Sequence, residues 1–194
     1  MRYKKQLAIF IFTLIISSCI PKVYKGDFFA KPGKTPKETT LKFSGSYYNI
    51  DSKTKLLNVF FFYDNYVQRS MVFDKNHYDS NRIPQSINNS IKKFQNLNKK
   101  SEEYQYFEDG GYRVNDSEIT IQVMRYIPQF NWGVVTCKGK IIDDTTILIT
   151  QYTHHIRKIY KTDSLYYHFI PTEKPDSLKG NRWKNKKWYW FNSK

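Results

Sequence analysis

Most of the chain from residue 43 onward consists of short apolar or aromatic runs separated by short polar breaks. The run 56–63 is nearly continuous in apolar and aromatic residues, and the run 66–73 alternates as the two faces of a strand do. Comparable runs follow at 43–50, 104–107, 111–114, 118–126, 132–142, 145–150, 156–160, 165–170 and 187–191. Strands at such short, regular spacing predict a mainly β fold, an antiparallel barrel or sandwich of about eight to nine strands.

Turn-forming residues separate these runs. A two-residue hairpin signal, Asp64-Asn65, stands between 56–63 and 66–73, with Asn where Gly would be favoured. The other turn signals are Asp109-Gly110-Gly111, Asn115-Asp116, Asp143-Asp144, Lys161-Thr162-Asp163 and Pro175-Asp176. Because these residue types favour turn conformations, each signal is expected to end one strand and begin the next.

One segment has a helical period. Apolar residues recur at the spacing of one helix face at Ile83, Ile87, Ile91, Phe94 and Leu97. Pro84 lies near the start of this pattern, and lysines crowd its last turns, as the helix dipole favours. We therefore predict one amphipathic helix near 85–99, with its apolar stripe packed on the sheet.

The first residues of the chain have the order of a secretory signal. A basic start is followed by the almost wholly apolar run 7–16, and the small residues Ser17 and Ser18 then precede Cys19. As a helix, the apolar run rises about 15 Å, whereas the hydrocarbon layer is about 30 Å thick. The alternative is a helix buried in the folded domain, but such a helix should show a polar face and this run has none.

The stretch Ile16-Ser17-Ser18-Cys19 resembles the lipobox of bacterial lipoproteins. That resemblance implies that residues 1–18 are a lipoprotein signal peptide and that Cys19 begins the mature chain, with diacylglycerol on its sulfur and an acyl chain on its amino group. Two or more such chains anchor a protein stably to a membrane. Ile20 stands where many lipoproteins retained in the inner membrane carry Asp, so the resemblance favours the outer membrane; it does not indicate the leaflet.

Composition divides the remainder into a tether and one domain. Residues 19–42, the predicted lipidated N-terminus and flexible tether, are rich in Lys and Thr and punctuated by Pro and Gly. Residues 43–194 are predicted to form a single antiparallel β domain. The length of 194 residues fits one domain, and an apolar fraction of 40% suffices for a core.

Several short motifs in the β region are similar to those of lipocalin-like barrels. Gly45-Ser46-Tyr47 looks like the Gly-x-aromatic opening of their first strand, although lipocalins proper carry Trp where Tyr47 stands. Further motifs resemble small envelope lipoproteins with lipocalin-like domains: Tyr106-Phe107-Glu108-Asp109-Gly110, Gly111-Tyr112-Arg113-Val114, Gly139-Lys140-Ile141 and Asp143-Asp144-Thr145-Thr146-Ile147. The resemblance implies a lipocalin-like barrel over 43–178, with the helix mid-chain where theirs follows the barrel, and it brings no catalytic residue with it.

The sequence contains no recognisable catalytic or metal-binding motif. A Gly-rich phosphate loop, HExxH and Gly-x-Ser-x-Gly are absent. His154 and His155 are adjacent on a predicted strand, so their side chains should point to opposite faces and not share a metal. Glu102-Glu103 and Asp143-Asp144 fit solvated turns better than an acid–base pair. We predict no cofactor, no metal and no enzymatic activity.

Cysteine use and modification signals add little. With Cys19 acylated, Cys137 has no intramolecular partner, and a lone Cys in a strand is usually a small buried hydrophobe. Asn88 begins a glycosylation sequon. Ser164 and Ser177 each lie in an Asp-Ser-Leu triplet, which resembles bacterial O-glycosylation sites and equally well a plain turn.

The chain is strongly basic and aromatic, with a net charge of +15 and 18% aromatic residues. Near the C-terminus, cations alternate with Trp and Tyr, and the predicted anionic-surface contacts are Arg182, Lys184, Lys186 and Lys187. Such a segment suits a membrane interface or an anionic envelope polymer, or 187–191 is simply the closing strand. Nucleic-acid binders use the same residue types, but an envelope lipoprotein rarely meets nucleic acid, so none is expected.

These features lead to two functional hypotheses. The first is a non-enzymatic envelope lipoprotein whose barrel binds a small apolar or amphipathic ligand. The alternative is a structural or assembly lipoprotein with a filled barrel, acting through its outer surface and basic C-terminus. A barrel of about eight strands can hold one small ligand or fill itself with side chains. An enzyme with a dispersed site is the least favoured reading, and the oligomeric state is not indicated.

Overall fold

The computed structural model describes residues 40–63, 66–72, 82–97, 107–127, 131–155 and 157–175. Within these residues the chain forms eight strands and one helix. The strands are β1 (Gly45–Ile50), β2 (Leu57–Tyr63), β3 (Tyr66–Val72), β4 (Phe107–Asn115), β5 (Glu118–Ile127), β6 (Asn131–Ile141), β7 (Thr146–His154) and β8 (Ile159–Pro171). The helix, α1 (Ile83–Leu97), lies between β3 and β4 in sequence.

The strands form a closed antiparallel barrel. Each strand pairs with the next one along the chain, and β8 pairs with β1 from Gly45 opposite Pro171 to Tyr48 opposite His168. This last pairing closes the sheet, so the predicted choice between barrel and sandwich is resolved as a barrel. The described part of the chain is therefore mainly β, with eight strands in a lipocalin-like barrel and one helix.

The nearly continuous apolar run of β2 is explained by its position between two apolar layers. Phe60 and Phe62 face the barrel interior and belong to its core. Leu57, Val59 and Phe61 face outward and pack with α1. A strand that is covered on both sides needs apolar residues at every position, whereas a half-exposed strand alternates.

Helix α1 covers the outside of the barrel and leaves the interior to the strands. Its residues Ile83, Ile87 and Ile91 are at most 2% exposed, which confirms the predicted stripe. Burial of each such side chain contributes about 1.5–3 kcal/mol. The helix begins and ends two residues earlier than predicted, and the side chains of Phe94 and Leu97 lie outside the description.

The predicted turn at 109–111 is wrong, because these residues lie within β4. A Cβ at Gly110 would lie 1.8 Å from the carbonyl oxygen of Gln122 on β5. Glycine is therefore required here for the close approach of two strands, and not for a turn. The runs predicted at 104–107 and 111–114 consequently belong to one strand as far as they are described.

The predicted turn at 161–163 is also wrong. These residues continue β8, which runs from Ile159 to Pro171. The pairing of β7 with β8 shifts register between Ile149 and Gln151. This β-bulge lets the polar residues stay within the strand instead of forming a turn. By contrast, the turn signals at 115–116 and 143–144 do separate strands.

The N-terminal segment closes one end of the barrel. Leu41 is buried in the interior core, and the Tyr47 hydroxyl accepts a hydrogen bond from the Lys42 amide (2.9 Å) and donates one to the carbonyl oxygen of Asp144 (3.0 Å). The folded part therefore extends at least to Leu41. We call this end, where the turn between β6 and β7 also lies, the capped end.

Several predicted features lie outside the described residues. They are the signal and lipidated Cys19, residues 19–39 of the tether, the turn Asp64-Asn65, Glu102-Glu103, Ser177, the strand 187–191 and the basic residues Arg182, Lys184, Lys186 and Lys187. Among the helical residues that are described, none forms a segment long and apolar enough to cross a membrane.

Candidate functional site

The half of the barrel interior nearest the capped end is filled by aromatic side chains. The rings of Tyr47 and Phe62 meet edge to face with centroids 5.6 Å apart, and Phe62 meets Tyr112 in the same way at 5.1 Å. Phe60 and Tyr167 pack below them, with centroids 4.9 Å apart. All of these residues are buried. We call this set the apolar half of the interior.

Towards the other end of the barrel, the inward positions become polar and charged. Arg69 lies opposite Phe60 on one side and Glu108 on the other, so the three side chains share the inner face. This group, which we call the charged cluster, consists of Asn58, Arg69, Glu108, Arg125 and Tyr152. Strands β2, β3, β4, β5 and β7 each supply one member, so the pairing of these strands in the sheet brings the cluster together.

A single carboxylate bridges two guanidinium groups in this cluster. Arg69 Nη1 lies 3.0 Å from Glu108 Oε2, and Arg125 Nε lies 3.1 Å from Glu108 Oε1. The Arg69 and Glu108 side chains are 9% and 8% exposed, and Arg125 is 29% exposed. Charges buried in this way are costly unless they are paired, and Glu108 pairs with both guanidinium groups.

The remaining contacts orient both arginines. Arg69 Nη2 donates to Asn58 Oδ1 (3.2 Å), and Arg125 Nη1 donates to the Tyr152 hydroxyl (3.0 Å). The Arg69 guanidinium also lies 5.9 Å from the centroid of the Phe60 ring, within the range of a cation–π contact. These contacts hold both arginine side chains in place where the charged cluster meets the apolar half.

Two buried polar atoms at this end of the barrel have no hydrogen-bond partner. They are Arg69 Nε and Asn49 Oδ1, and within the described ranges these are the buried side-chain nitrogen and oxygen atoms left unpaired. A buried polar atom without a partner costs about 1–3 kcal/mol, and native proteins rarely leave one so. A ligand group or water at the charged cluster would relieve that cost.

Three ionisable groups in or beside the charged cluster have shifted pKa values. Burial lowers the pKa of the Arg69 guanidinium, but Glu108 together with Tyr167, Cys137 and Tyr152 more than offsets this effect, and the pKa is raised. Burial, together with the positive charges of Arg125 and Arg157, lowers the pKa of His154, so this imidazole is neutral. Burial raises the pKa of the Tyr167 hydroxyl, which stays protonated.

The neighbouring Asp109 points to the outside of the barrel and is buried there. Its carboxyl accepts hydrogen bonds from the Tyr66 hydroxyl and from Gln68 Nε2, the latter at 3.0 Å. Burial raises the pKa of Asp109 to about 6, and these two hydrogen bonds oppose the rise. The Tyr63 hydroxyl lies 3.2 Å from Gln68 Oε1 and donates to the Pro175 carbonyl, which ties this outer site to the segment after β8.

The structure places the remaining candidate residues apart from the charged cluster or at its edge. Cys137 is buried in the interior core, as predicted, and burial raises the pKa of its thiol to about 11. His155 Nε2 lies 2.8 Å from Thr136 Oγ1, whereas His154 shares the inner face with Val135. The described residues include no group of three or more His, Cys, Asp or Glu suited to hold a metal ion.

The two modification candidates that are described have structural contacts. Asn88 Oδ1 accepts a hydrogen bond from the Glu173 amide (3.0 Å), which joins α1 to the segment after β8. The Ser164 amide donates to Asp163 Oδ1 (2.8 Å) on an exposed part of β8.

Sequence reasoning missed the charged cluster, although one signal was available. In the alternating run 66–73, Arg69 falls on the same face as Val67, Met71 and Phe73. A charge on the apolar face of a strand indicates a buried, partnered ion. Its partners Glu108 and Arg125 are distant in sequence, and no local pattern identifies them.

Comparisons of the chain with known protein families, with curated proteins and with solved structures found no match. Function is therefore inferred from the barrel and its interior.

Proposed function

We propose that the protein is a non-enzymatic, lipid-anchored envelope lipoprotein whose barrel binds one small amphipathic ligand. The observation that carries the proposal is the unpaired, buried Nε of Arg69, which lies in a cluster of charged side chains inside the barrel. A fold that needed only a filled interior would be served equally well by apolar side chains, because replacing buried ion networks with apolar groups is often neutral or stabilising. Retention of the charged cluster favours a ligand.

The amphipathic character follows from the contrast between the two halves of the interior. The apolar half presents rings and aliphatic groups, and the charged cluster lies directly against it. A ligand with a polar group and an apolar body would satisfy both surfaces, as ligand sites that combine apolar walls with a few polar groups usually do.

In this proposal, the acylated Cys19 holds the protein at the outer membrane and residues 20–40 connect the barrel to it. Several acyl chains together give stable anchoring. The basic residues Arg182, Lys184, Lys186 and Lys187 would contact anionic lipid or polymer at that surface, where each cation contributes about 1 kcal/mol.

A structural or assembly role remains the second candidate, and one observation favours it. The apolar half is packed with its own side chains, which include Tyr47, Phe62 and Tyr112 at no more than 1% exposure. If the charged cluster is equally filled in solution, the barrel acts through its outer surface.

Purification of the native protein from membranes tests the proposal. We expect the N-terminus to be an acylated Cys19, and a stoichiometric amphipathic compound to appear in the extracted lipid. The Cys19→Ser variant should leave the membrane yet still carry that compound, because the barrel is separate from the anchor. An intact Met1 would refute the lipoprotein assignment, and an acylated protein without a bound compound would favour the structural role.

A further inference from the structure

We propose that the outer face of strands β6, β7 and β8 is a contact surface for an anionic lipid bilayer. We call it the cationic face, and its outward side chains include Lys138, Lys140, Leu148, Tyr160 and Tyr166. The inference rests on the proposed function in one respect, since an acylated Cys19 would hold the barrel beside a bilayer. It adds a second contact, made by the barrel itself, to that anchor.

The exposed large hydrophobic side chains are gathered on this side of the barrel. Among the described residues they are Ile142, which directly follows β6, and Tyr160 and Tyr166 on β8, at 53%, 61% and 49% exposure. Elsewhere the outside of the barrel is covered, because the outward residues of β2 pack with α1 and the outward Gln122 and Met124 of β5 are buried. Apolar groups gathered on one face and flanked by polar residues are typical of an interaction surface.

The strand register places a cation, an aliphatic group and an aromatic ring in one row. Lys140 lies opposite Leu148, and Leu148 lies opposite Tyr166. Because neighbouring strands are about 4.8 Å apart, the row spans about 10 Å. Lys138 lies two residues from Lys140 on the same outward side, since Cys137 and Ile141 face the interior core. Lysines in such a row can lay their apolar stems along the surface and hold their ammonium groups at its edge.

Cations outnumber acids on this side of the barrel. Among the described residues of β6, the turn after β7 and β8, the exposed residues with a full charge are five cations and one acid, namely Lys138, Lys140, Arg157, Lys158, Lys161 and Asp163. The exposed Glu118 and Asp143 border the face and still leave an excess of two positive charges. Among the described residues, no carboxylate lies within ion-pair distance of Lys138 or Lys140. The face is therefore complementary to an anionic surface and repels a second copy of itself.

Shape and apolar character favour a bilayer over a soluble anionic polymer. The outer side of a barrel is convex, which suits a broad, deformable surface, whereas small ligands bind in clefts. Tyrosine rings have an apolar body and a polar tip, which suits them to the headgroup layer, and the aliphatic Ile142 can enter the acyl boundary beside them. A polyanion would be bound by the lysines alone and would leave these side chains exposed.

Binding of the mature full chain carrying Cys19→Ser to phospholipid vesicles tests this inference. We expect tighter binding to phosphatidylcholine mixed with phosphatidylglycerol than to phosphatidylcholine alone. Lys138→Gln combined with Lys140→Gln should weaken binding to the anionic vesicles by about twenty-five-fold, since each cation near such a surface contributes about fivefold.

A matched control removes two exposed lysines from the turn between β1 and β2. Lys53→Gln combined with Lys55→Gln changes the net charge by the same amount and leaves the basic C-terminal residues in place. It should weaken binding by less than about threefold, because charges farther from the bilayer than a Debye length are screened. The comparison therefore isolates the position of the lysines from their charge.

A fluorescent label locates the contact on the barrel. With Cys19 replaced and Cys137 buried, a cysteine introduced by Tyr166→Cys can be labelled selectively with a polarity-sensitive dye. On anionic vesicles its emission should shift to shorter wavelength and become more intense. The same dye at Ser52→Cys, on the turn between β1 and β2, should not respond.

The outcomes separate a specific face from general attraction by the basic chain. Equal losses for the two lysine pairs, equal responses of the two labels, or equal binding to neutral and anionic vesicles would each overturn the cationic face. Binding of dextran sulfate that depends on Lys138 and Lys140, without a response at Tyr166→Cys on vesicles, would assign the face to a polymer and overturn the lipid contact. None of these results affects the acylation of Cys19, which mass analysis of the native N-terminus measures separately.

Discussion

Glu108 and Asp109 are adjacent on β4, and each is 6% exposed, yet the barrel treats their charges in opposite ways. Glu108 faces the interior between two guanidinium groups. Asp109 faces outward, and its hydrogen bonds come from the neutral side chains Tyr66 and Gln68. The Glu108 carboxyl thus contacts positive charges, whereas the Asp109 carboxyl accepts hydrogen bonds from neutral groups.

The difference shows that two adjacent residues of one strand can lie in different environments, one inside the barrel and one outside it. Because successive side chains point to opposite faces, neighbouring acids need share no partner. Neutral donors do not offset the loss of water around Asp109, and its pKa is raised to about 6. Glu108 contacts two guanidinium groups and holds the charged cluster together.

The strongest way to break this contrast is to remove the interior charge. Glu108→Gln removes the negative charge that contacts both Arg69 and Arg125. We expect the free energy of unfolding to fall by about 3–5 kcal/mol, as it does when one partner of a buried ion pair is lost. Urea unfolding at pH 7, followed by circular dichroism, measures the change.

A matched control uses the same substitution where the charge is exposed. Glu118→Gln changes an exposed residue at the start of β5 and should alter stability by less than about 0.5 kcal/mol. If Glu108→Gln were as mild as this control, Glu108 would not be the counter-ion that holds the two arginines.

Asp109, the outer acid, should instead make the free energy of unfolding depend on pH. The folded pKa of Asp109, about 6, lies above the unfolded value of 3.8. As pH rises from 3.8 to 6, the unfolded chain releases this proton while the folded chain keeps it, so Asp109 lowers stability increasingly through that window. Each pH unit contributes about 1.4 kcal/mol, and the whole effect is about 3 kcal/mol above pH 6.

Asp109→Asn removes the titration and keeps an acceptor for Tyr66 and Gln68. The difference in unfolding free energy between variant and parent should therefore move by about 2.5 kcal/mol in favour of the variant between pH 4 and pH 8. Urea unfolding across that range measures it, with the exposed Asp116→Asn as the control. A difference that stays constant with pH would show that Asp109 ionises normally in the folded protein.

Strands and helices could be predicted from the sequence where the spacing of apolar residues follows one clear period. Apolar spacing identified α1 within two residues, and the runs at 56–63 and 66–73 correspond to β2 and β3. The turn signal at 109–111 misled because a local pattern cannot distinguish a glycine that makes a turn from one that admits a neighbouring strand. Gly110 leaves room for the backbone of Gln122 on β5, and only the register of the two strands shows that these residues meet.

The charged cluster depends on the same non-local information. Its members come from five strands, and they converge only when β2 to β7 pair in the sheet. Arg69 was recognisable as a charge on an apolar face, but nothing near it in sequence identifies Glu108, which lies beyond α1. Asp109 was assigned to a turn because Asp before Gly usually marks one, and its burial follows from the length of β4.

Tyr66→Phe tests the contrast between Glu108 and Asp109 with the smallest change, because it removes one hydroxyl group and no charge. The Tyr66 hydroxyl donates to Asp109, and such a bond is about twice as strong when the acceptor is ionised. The substitution should cost about 1 kcal/mol at pH 5 and about 2 kcal/mol at pH 8, and it should raise the pKa of Asp109 further, because this bond lowers it. Urea unfolding at both pH values measures the costs, and Tyr160→Phe, at 61% exposure, is the control and should cost almost nothing. Equal losses at the two pH values would mean that Tyr66 does not sense the charge of Asp109, and the outer site would then be a passive hydrogen-bond network.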